Sequence, residues 1–83
     1  MAEPRISIYL DSCATAPPRS GVVDAIVRAH ATAWANPSSL HQPGLDAADL
    51  LERSRLRVAS ALNANPDDVI VTSGATESVH LAL

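Results

Sequence analysis

Residues 69–78 read VIVTSGATES, and this stretch decides the fold prediction. The run 69–72 is short, continuous and apolar, which is typical of a strand buried in a parallel sheet. Small and hydroxyl-bearing residues follow it, and a helical pattern begins at Ala75. A helix that starts where such a strand ends places its free N–H groups and its positive dipole at the carboxyl edge of the sheet, where α/β proteins bind ligands. The stretch therefore predicts an α/β fold with an anion site at this turn.

The turn after the predicted strand has two interpretations. Gly74 and Ala75 are small enough to let an anion reach the backbone, and Thr76 adds a hydroxyl donor, so the turn suits a phosphate. Alternatively, Ser73 is an ordinary helix N-cap, with Thr76 or Glu77 near the third helical position as in a capping box. The residues alone leave both interpretations open.

The rest of the chain alternates short apolar runs with helical patterns. In chain order we predict a strand at 6–11, a helix at about 20–34, a loop at 35–44, a helix at about 45–62, a turn at 63–68, a strand at 69–72 and a helix start at 75–83. Trp34 is predicted to be a core residue, and Leu51, Val58 and Leu62 are predicted to share one face of the second helix. The order of elements is that of an α/β protein that is incomplete as a domain.

The composition limits how stable the chain is by itself. It has 83 residues, of which 47% are hydrophobic, but there is no Phe, one Trp and one Tyr. A chain of this size buries a modest fraction of its surface, and one with few large side chains buries less. We therefore expect a piece of something larger that is molten or prone to aggregate when isolated.

Charge and cysteine content exclude several classes of function. The net charge of −3 argues against nucleic acid as a partner. No apolar run reaches membrane length and no signal-peptide pattern is present, which predicts a cytoplasmic protein without a membrane partner. The single cysteine, Cys13, excludes an internal disulfide and a cysteine-rich zinc site, and we predict no metal.

Several segments together resemble one family. They are IYLDSCATAP at 8–17, ANPSSLH at 35–41, NPDDVIVTSGATES at 65–78 and LAL at 81–83. In this order and spacing they resemble the N-terminal portion of a cysteine desulfurase, a pyridoxal-phosphate enzyme of the class V aminotransferase family. Alternatives are a fragment of another class V lyase or aminotransferase, such as a selenocysteine lyase, or a non-enzymatic interaction fragment.

The resemblance implies a fold type I transferase. Residues 1–17 would be the N-terminal arm of the small domain, and residues 18–83 would begin the large cofactor-binding domain. It implies transfer of sulfur from L-cysteine, with L-alanine as product, for iron–sulfur cluster, thio-cofactor or tRNA synthesis. The implied partners are a second copy in a homodimer and a sulfur-acceptor or scaffold protein.

The resemblance also implies site residues. Gly74, Ala75 and Thr76 would hold the phosphate of pyridoxal 5'-phosphate through backbone N–H groups and the threonine hydroxyl. Asn36 and His41 would lie on the substrate side of the pocket. For His41 we predict a role in ordering the loop rather than in acid–base chemistry.

The chain contains no lysine. Catalysis by this cofactor needs a lysine amine for attachment and proton transfer. We therefore predict no catalytic residue within these residues and no desulfurase activity from the 83-residue chain alone. In the family the sulfur-accepting cysteine lies further along the chain than Leu83, so Cys13 is predicted to be a small packing residue.

Overall fold

The computed structural model describes residues 7–83, and within them the regular elements are helical. They are α1 at Ser20–Thr32, α2 at Gln42–Ala61, a short 3₁₀ helix at Pro66–Asp68 and α3 at Ala75–Ala82. All three predicted helices are confirmed. The 3₁₀ helix lies in the segment predicted as a turn.

The two predicted strands are not formed in the described residues. Ile6 lies outside the described range, and residues 7–11 and 69–72 are irregular. Val69 has extended backbone angles, φ −93° and ψ 116°, but strand pairing needs a hydrogen-bonded neighbour, which residues 7–83 do not supply. Ile70 is accordingly 74% exposed. Irregular segments therefore stand where the two strands were expected to precede helices.

Helix α1 follows two prolines that cannot continue a preceding helix. Its N-cap, Arg19, has extended angles of φ −67° and ψ 152°. The helix ends at Thr32, two residues before the predicted end, because Ala33 has left the helical region with φ −135° and ψ 42°. The Thr32 hydroxyl donates back to the Arg28 carbonyl oxygen at 2.8 Å, a bond typical of a threonine inside a helix.

Helix α2 begins at Gln42, three residues earlier than predicted, so Pro43 and Gly44 lie in its first turn rather than in the loop. Proline is tolerated there because the first helical N–H groups have no partner within the helix. At the other end, Asn63 adopts the left-handed conformation with φ 51°. Its N–H donates to the Ser60 carbonyl at 3.2 Å, and that of Ala64 donates to the Ala59 carbonyl at 2.9 Å, which is a Schellman motif.

The 3₁₀ helix is fixed to α2. The Asn65 side chain accepts from the Asp67 N–H at 3.0 Å and so caps the turn. Arg55 on α2 donates to the Pro66 carbonyl oxygen and pairs with Glu52 at 2.7 Å. One guanidinium group thereby joins the helix to the turn that precedes residues 69–72.

The buried core is very small. Ala47 and Ala59, at 6% and 1% exposed, are its hydrophobic members. The prediction that Trp34 is a core residue is wrong for this structure, because the indole is 70% exposed. Helix α1 contacts α2 sparingly and α3 packs on neither of them, so no element of the described residues covers their apolar faces. The radius of gyration is 17.1 Å, whereas a compact chain of this length has about 12 Å.

Candidate functional site

The turn before α3 is shaped by one carboxylate. Glu77 lies in the first turn of α3, and its Oε2 atom accepts from the Ser73 N–H at 3.0 Å and from the Ser73 hydroxyl at 2.5 Å. These two bonds favour the ionised carboxylate, with the hydroxyl bond as the larger cause, and they lower the pKa of Glu77. The Glu77 side chain therefore points back toward Ser73, the residue that precedes the N-cap.

A pair of hydroxyl groups also stabilises this turn by hydrogen bonding. Thr72 Oγ1 and Ser78 Oγ are 2.6 Å apart, and each lies 3.1 Å from the Gly74 carbonyl oxygen. Because a hydroxyl carries one proton, one of the two donates to the other and the second donates to this carbonyl. The pair links the extended segment before the turn to the first turn of the helix. The backbone from 72 to 78 is therefore fixed by its own polar side chains.

The helical N–H groups at this turn are left open. The N-cap is Gly74, which has no side chain to cap the helix. No acceptor within residues 7–83 takes the N–H groups of Ala75, Thr76 and Glu77. The capping-box interpretation is therefore wrong in its main point, since Ser73 is not the N-cap. The part of the arrangement that resembles a capping box is the bond from the Ser73 N–H to the Glu77 carboxylate.

Space is available in front of these donors. A Cβ atom added at Gly74 would meet nothing within 4 Å. A shallow depression beside it is lined by Ala75, Thr76, Val79 and His80. Free N–H groups at the positive end of a helix, beside an open surface, are a favourable environment for an anion such as a phosphate group.

Asn36 and His41 both order the loop between α1 and α2. The Asn36 Oδ1 atom accepts from the Ser38 N–H at 2.8 Å, and the Asn36 carbonyl accepts from the Ser39 N–H at 3.1 Å. His41 is the N-cap of α2, and its Nδ1 atom accepts from the Gly44 N–H at 3.1 Å. This bond uses the Nδ1 lone pair, which suits the ordering role predicted for His41.

Gly44 closes that loop against α2. It is buried, and a Cβ atom there would overlap the Ser39 carbonyl oxygen and lie 2.9 Å from the Asn36 carbonyl oxygen. The sequence marked this Pro-Gly pair as the end of a loop, whereas the glycine is a point of close packing within a helix.

The structure does not bring the two predicted parts of the site together. Gly74, Ala75 and Thr76 are adjacent by sequence, while Asn36 and His41 belong to the other helix start. Helix α3 packs on neither α1 nor α2, and the hydrogen bonds of the described loop are all local.

Two features of the site region were missed from the sequence. The Tyr9 hydroxyl bridges the carbonyl oxygens of Asp11 at 3.0 Å and Thr15 at 2.7 Å and so fixes the turn between them. Cys13 lies exposed in this turn instead of packing as predicted. The Ser73–Glu77 contact, by contrast, was anticipated in part, because the capping-box interpretation paired these two residues.

Residues 7–83 contain neither a metal-binding cluster nor a membrane-spanning helix. No group of three or more potential ligands is placed to hold a metal ion. None of the described helices has the length and apolar character needed to cross a membrane.

Comparison with known proteins places the chain in a family. The sequence model of the Aminotransferase class-V family matches residues 8–83. A selenocysteine lyase of Xenopus laevis is 42% identical over 76 residues, which is 92% of this chain and 18% of the relative. A cysteine desulfurase of Frankia sp. is 43% identical over 76 residues with the same coverage. Human selenocysteine lyase is 38% identical over 80 residues, or 96% of this chain and 18% of the relative.

The chain thus spans about a fifth of the length of these curated relatives. No solved structure matches it. The family model covers nearly the whole chain, including the turn at 73–76 and the loop at 35–41. The chain belongs to the class-V aminotransferase family.

Proposed function

We propose that these residues supply the phosphate-binding portion of a pyridoxal-phosphate-dependent cysteine desulfurase. The single observation that carries the proposal is the start of α3 in a chain of this family. Three N–H groups there have no acceptor among residues 7–83, and they lie beside an open surface. Membership of the family also supports a fold type I architecture.

A selenocysteine lyase is the second candidate and has equal support. Relatives of both names match the same residues at closely similar identity. The two activities differ in whether sulfur or selenium is removed from the amino acid. None of the residues at the turn or in the 36–41 loop is specific for one of these elements.

The donor set fits a phosphate monoester. The N–H groups of Ala75 and Thr76 and the Thr76 hydroxyl would each donate to a phosphate oxygen, and Gly74 leaves room for the approach. When bound, the cofactor supplies the electron sink for cleavage of the bond to sulfur or selenium. The chain's own residues bind and orient its phosphate.

Glu77 is the one acidic group within this turn. Its charge opposes a phosphate nearby, but its Oε2 atom is held by the two bonds from Ser73. Those bonds direct the carboxylate back over Ser73. We infer that Ser73 acts as a positioning residue that restrains the carboxylate.

The activity is tested on the full-length product of the gene, purified with pyridoxal phosphate. With L-cysteine and a reductant we expect equal amounts of alanine and sulfide, and with L-selenocysteine we expect slower or no release of selenide. Release of selenide alone would replace the first candidate by the second. Absence of both products would overturn the proposal.

The phosphate site is tested with Thr76→Val in the same protein. The substitution keeps the side-chain volume and removes the hydroxyl, so we expect retained cofactor to fall about tenfold or more, as measured by absorbance after dialysis. Thr32→Val on α1 makes the same chemical change away from the turn and is expected to retain the cofactor. Equal retention by both variants would contradict the assignment.

The absence of lysine gives a further prediction. Purified 83-residue chain should release no sulfide from L-cysteine beyond a control with free cofactor, because no lysine amine is present. Sulfide above that control would contradict it. The homodimer, the sulfur-acceptor or scaffold partner, the cytoplasmic location and the boundary at residue 17 stay predictions.

A further inference from the structure

Ser78 on α3 carries a hydroxyl group that lies against the preceding turn of its helix. Its Oγ atom is 3.1 Å from the Gly74 carbonyl oxygen, as Ser54 Oγ on α2 is 2.8 Å from that of Leu50. Contacts of this kind are common within helices and indicate no function by themselves. The contact at Ser78 differs from that at Ser54, because Thr72, which lies outside the helix, places a second hydroxyl 3.1 Å from the same carbonyl oxygen.

The Gly74 carbonyl oxygen has a donor for each of its two lone pairs. It accepts from the Ser78 N–H at 3.1 Å, which is an ordinary helical bond. The hydroxyls of Thr72 and Ser78 are 2.6 Å apart, so one proton lies between them and the other is left for the carbonyl. One donor therefore comes from the helix backbone and one from the hydroxyl pair.

The direction of this carbonyl sets the direction of the next N–H group. The peptide bond between Gly74 and Ala75 is planar and trans, so the Gly74 C=O and the Ala75 N–H point in opposite directions. The carbonyl points into α3, toward Ser78. The Ala75 N–H therefore points out of the helix start, where an anion would approach, and the negative end of the carbonyl dipole is turned away from that anion.

Few other contacts within residues 7–83 hold this peptide group. A Cβ atom added at Gly74 would meet nothing within 4 Å, and α3 packs on neither α1 nor α2. Helix α3 has eight residues, and a short helix without packing frays at its ends. Thr72 joins the start of α3 to the segment that precedes it, so the hydroxyl pair opposes fraying where the free N–H groups lie.

We propose that Thr72 and Ser78 are positioning residues of the phosphate site. Their paired hydroxyls hold the peptide group between Gly74 and Ala75 so that the Ala75 N–H is directed at the phosphate. The inference rests on the proposed function, since it assigns a role at the same turn. It differs from the role of Thr76, because the protons of the pair are used between the two hydroxyls and on the carbonyl and not on the phosphate.

Removal of the hydroxyls tests the proposal in the full-length protein, by absorbance titration of the cofactor-free form with pyridoxal phosphate. Thr72→Val and Ser78→Ala each delete one hydroxyl, and we expect the affinity to fall about three- to tenfold, the effect of one hydrogen bond. Thr72→Ser keeps a hydroxyl and should recover most of the lost affinity. Ser54→Ala deletes the corresponding hydroxyl on α2 and should leave the affinity unchanged.

A second ligand separates positioning from a general loss of stability. Pyridoxal lacks the phosphate, so its affinity should be the same in Thr72→Val as in the unchanged protein. A site that is partly unfolded would lose affinity for both ligands. Equal losses for pyridoxal and pyridoxal phosphate would therefore overturn the positioning role, and so would a failure of Thr72→Ser to recover affinity.

Thr76→Val distinguishes failure of this inference from failure of the proposed function. If Thr76→Val weakens cofactor binding while Thr72→Val and Ser78→Ala do not, the phosphate site stands and the positioning role is wrong. If none of the three variants weakens binding, both are wrong.

Discussion

The starts of α2 and α3 each have a glycine at the N-cap or in the first turn, and the two starts differ in one physical respect. At the start of α2, Gly44 is packed against loop carbonyls and the His41 side chain caps the helix. At the start of α3, Gly74 meets no other atom within 4 Å and no side chain caps the helix. We call the start of α2 the closed start, because residues of its own loop cover it, and the start of α3 the open start.

The difference separates a structural helix start from a candidate binding site. Free N–H groups at a helix start are satisfied by side chains, water or ligands. At α2 the loop and His41 supply protein partners. At α3 the polar side chains nearest the turn bond to each other, as Thr72 does with Ser78, and leave the N–H groups free. The open start is therefore the one available to an anion.

The largest effect on stability is expected from Gly44→Ala, because the added side chain would disrupt the packing at the start of α2. The added Cβ would overlap the Ser39 carbonyl oxygen, and crowding of this kind costs about 1–3 kcal/mol of unfolding free energy. Urea unfolding followed by circular dichroism measures it. Gly21→Ala on α1 meets nothing within 4 Å and should stabilise its helix by up to about 1 kcal/mol. Equal effects of the two variants would show that Gly44 is not closely packed.

Removal of the cap on α2 should have a smaller effect. His41→Ala deletes the acceptor of the Gly44 N–H, and loss of an N-cap costs about 1 kcal/mol. His41→Asn supplies another good capping side chain and should retain most of the stability. Hydrogen exchange of the Gly44 amide would report the cap directly. Unchanged exchange in the alanine variant would contradict the capping role.

Substitution at the open start should barely change stability. Gly74→Ala adds a Cβ into empty space, so we expect a change in unfolding free energy of about 0.5 kcal/mol or less. The same methyl group would obstruct an anion that approaches the backbone. Retention of pyridoxal phosphate by the full-length protein should therefore fall while the melting temperature stays constant. A large loss of stability would show that the start of α3 is packed after all.

The smallest expected effect is the dependence of stability on pH through the Glu77 carboxylate. The bonds from Ser73 lower the pKa of Glu77 in the folded chain. Since the folded pKa is depressed, the stabilisation is present at neutral pH and is lost as pH falls through the folded pKa, below the ordinary glutamate value of about 4.3. Carbon-detected NMR of the Glu77 carboxyl measures the shift. Ser73→Ala should raise this pKa toward the ordinary value, and an unchanged pKa in that variant would exclude the hydroxyl bond.

Helix positions were predictable because they follow from local patterns. The apolar spacing of α1 and the turn chemistry before α3 are properties of neighbouring residues. The start of α2 was misplaced by three residues because His41 is an unusual N-cap and Pro43 was taken as a loop residue. The residues near the helix ends were therefore sufficient to predict approximately where the helices begin. They were not sufficient to identify His41 as the N-cap of α2.

Burial was not predictable in the same way. Trp34 and residues 69–72 have the composition of a core residue and a buried strand, yet Trp34, Ile70 and Val71 are exposed here and the other two residues are half-buried. Burial requires a second apolar surface, and strand formation requires a hydrogen-bonded neighbour. Both are supplied by partners remote in the sequence, and a local pattern does not show whether those partners are present.

The sequence by itself determined three helices, the family and the small, polar turn at Ser73–Thr76. These depend on residue types at fixed spacings along a single chain. The tertiary structure alone decided that Gly44 closes one helix start and that Gly74 leaves the other open. Such facts depend on the distances between atoms and on the space around them, because whether a backbone donor is occupied or free is set by what packs beside it.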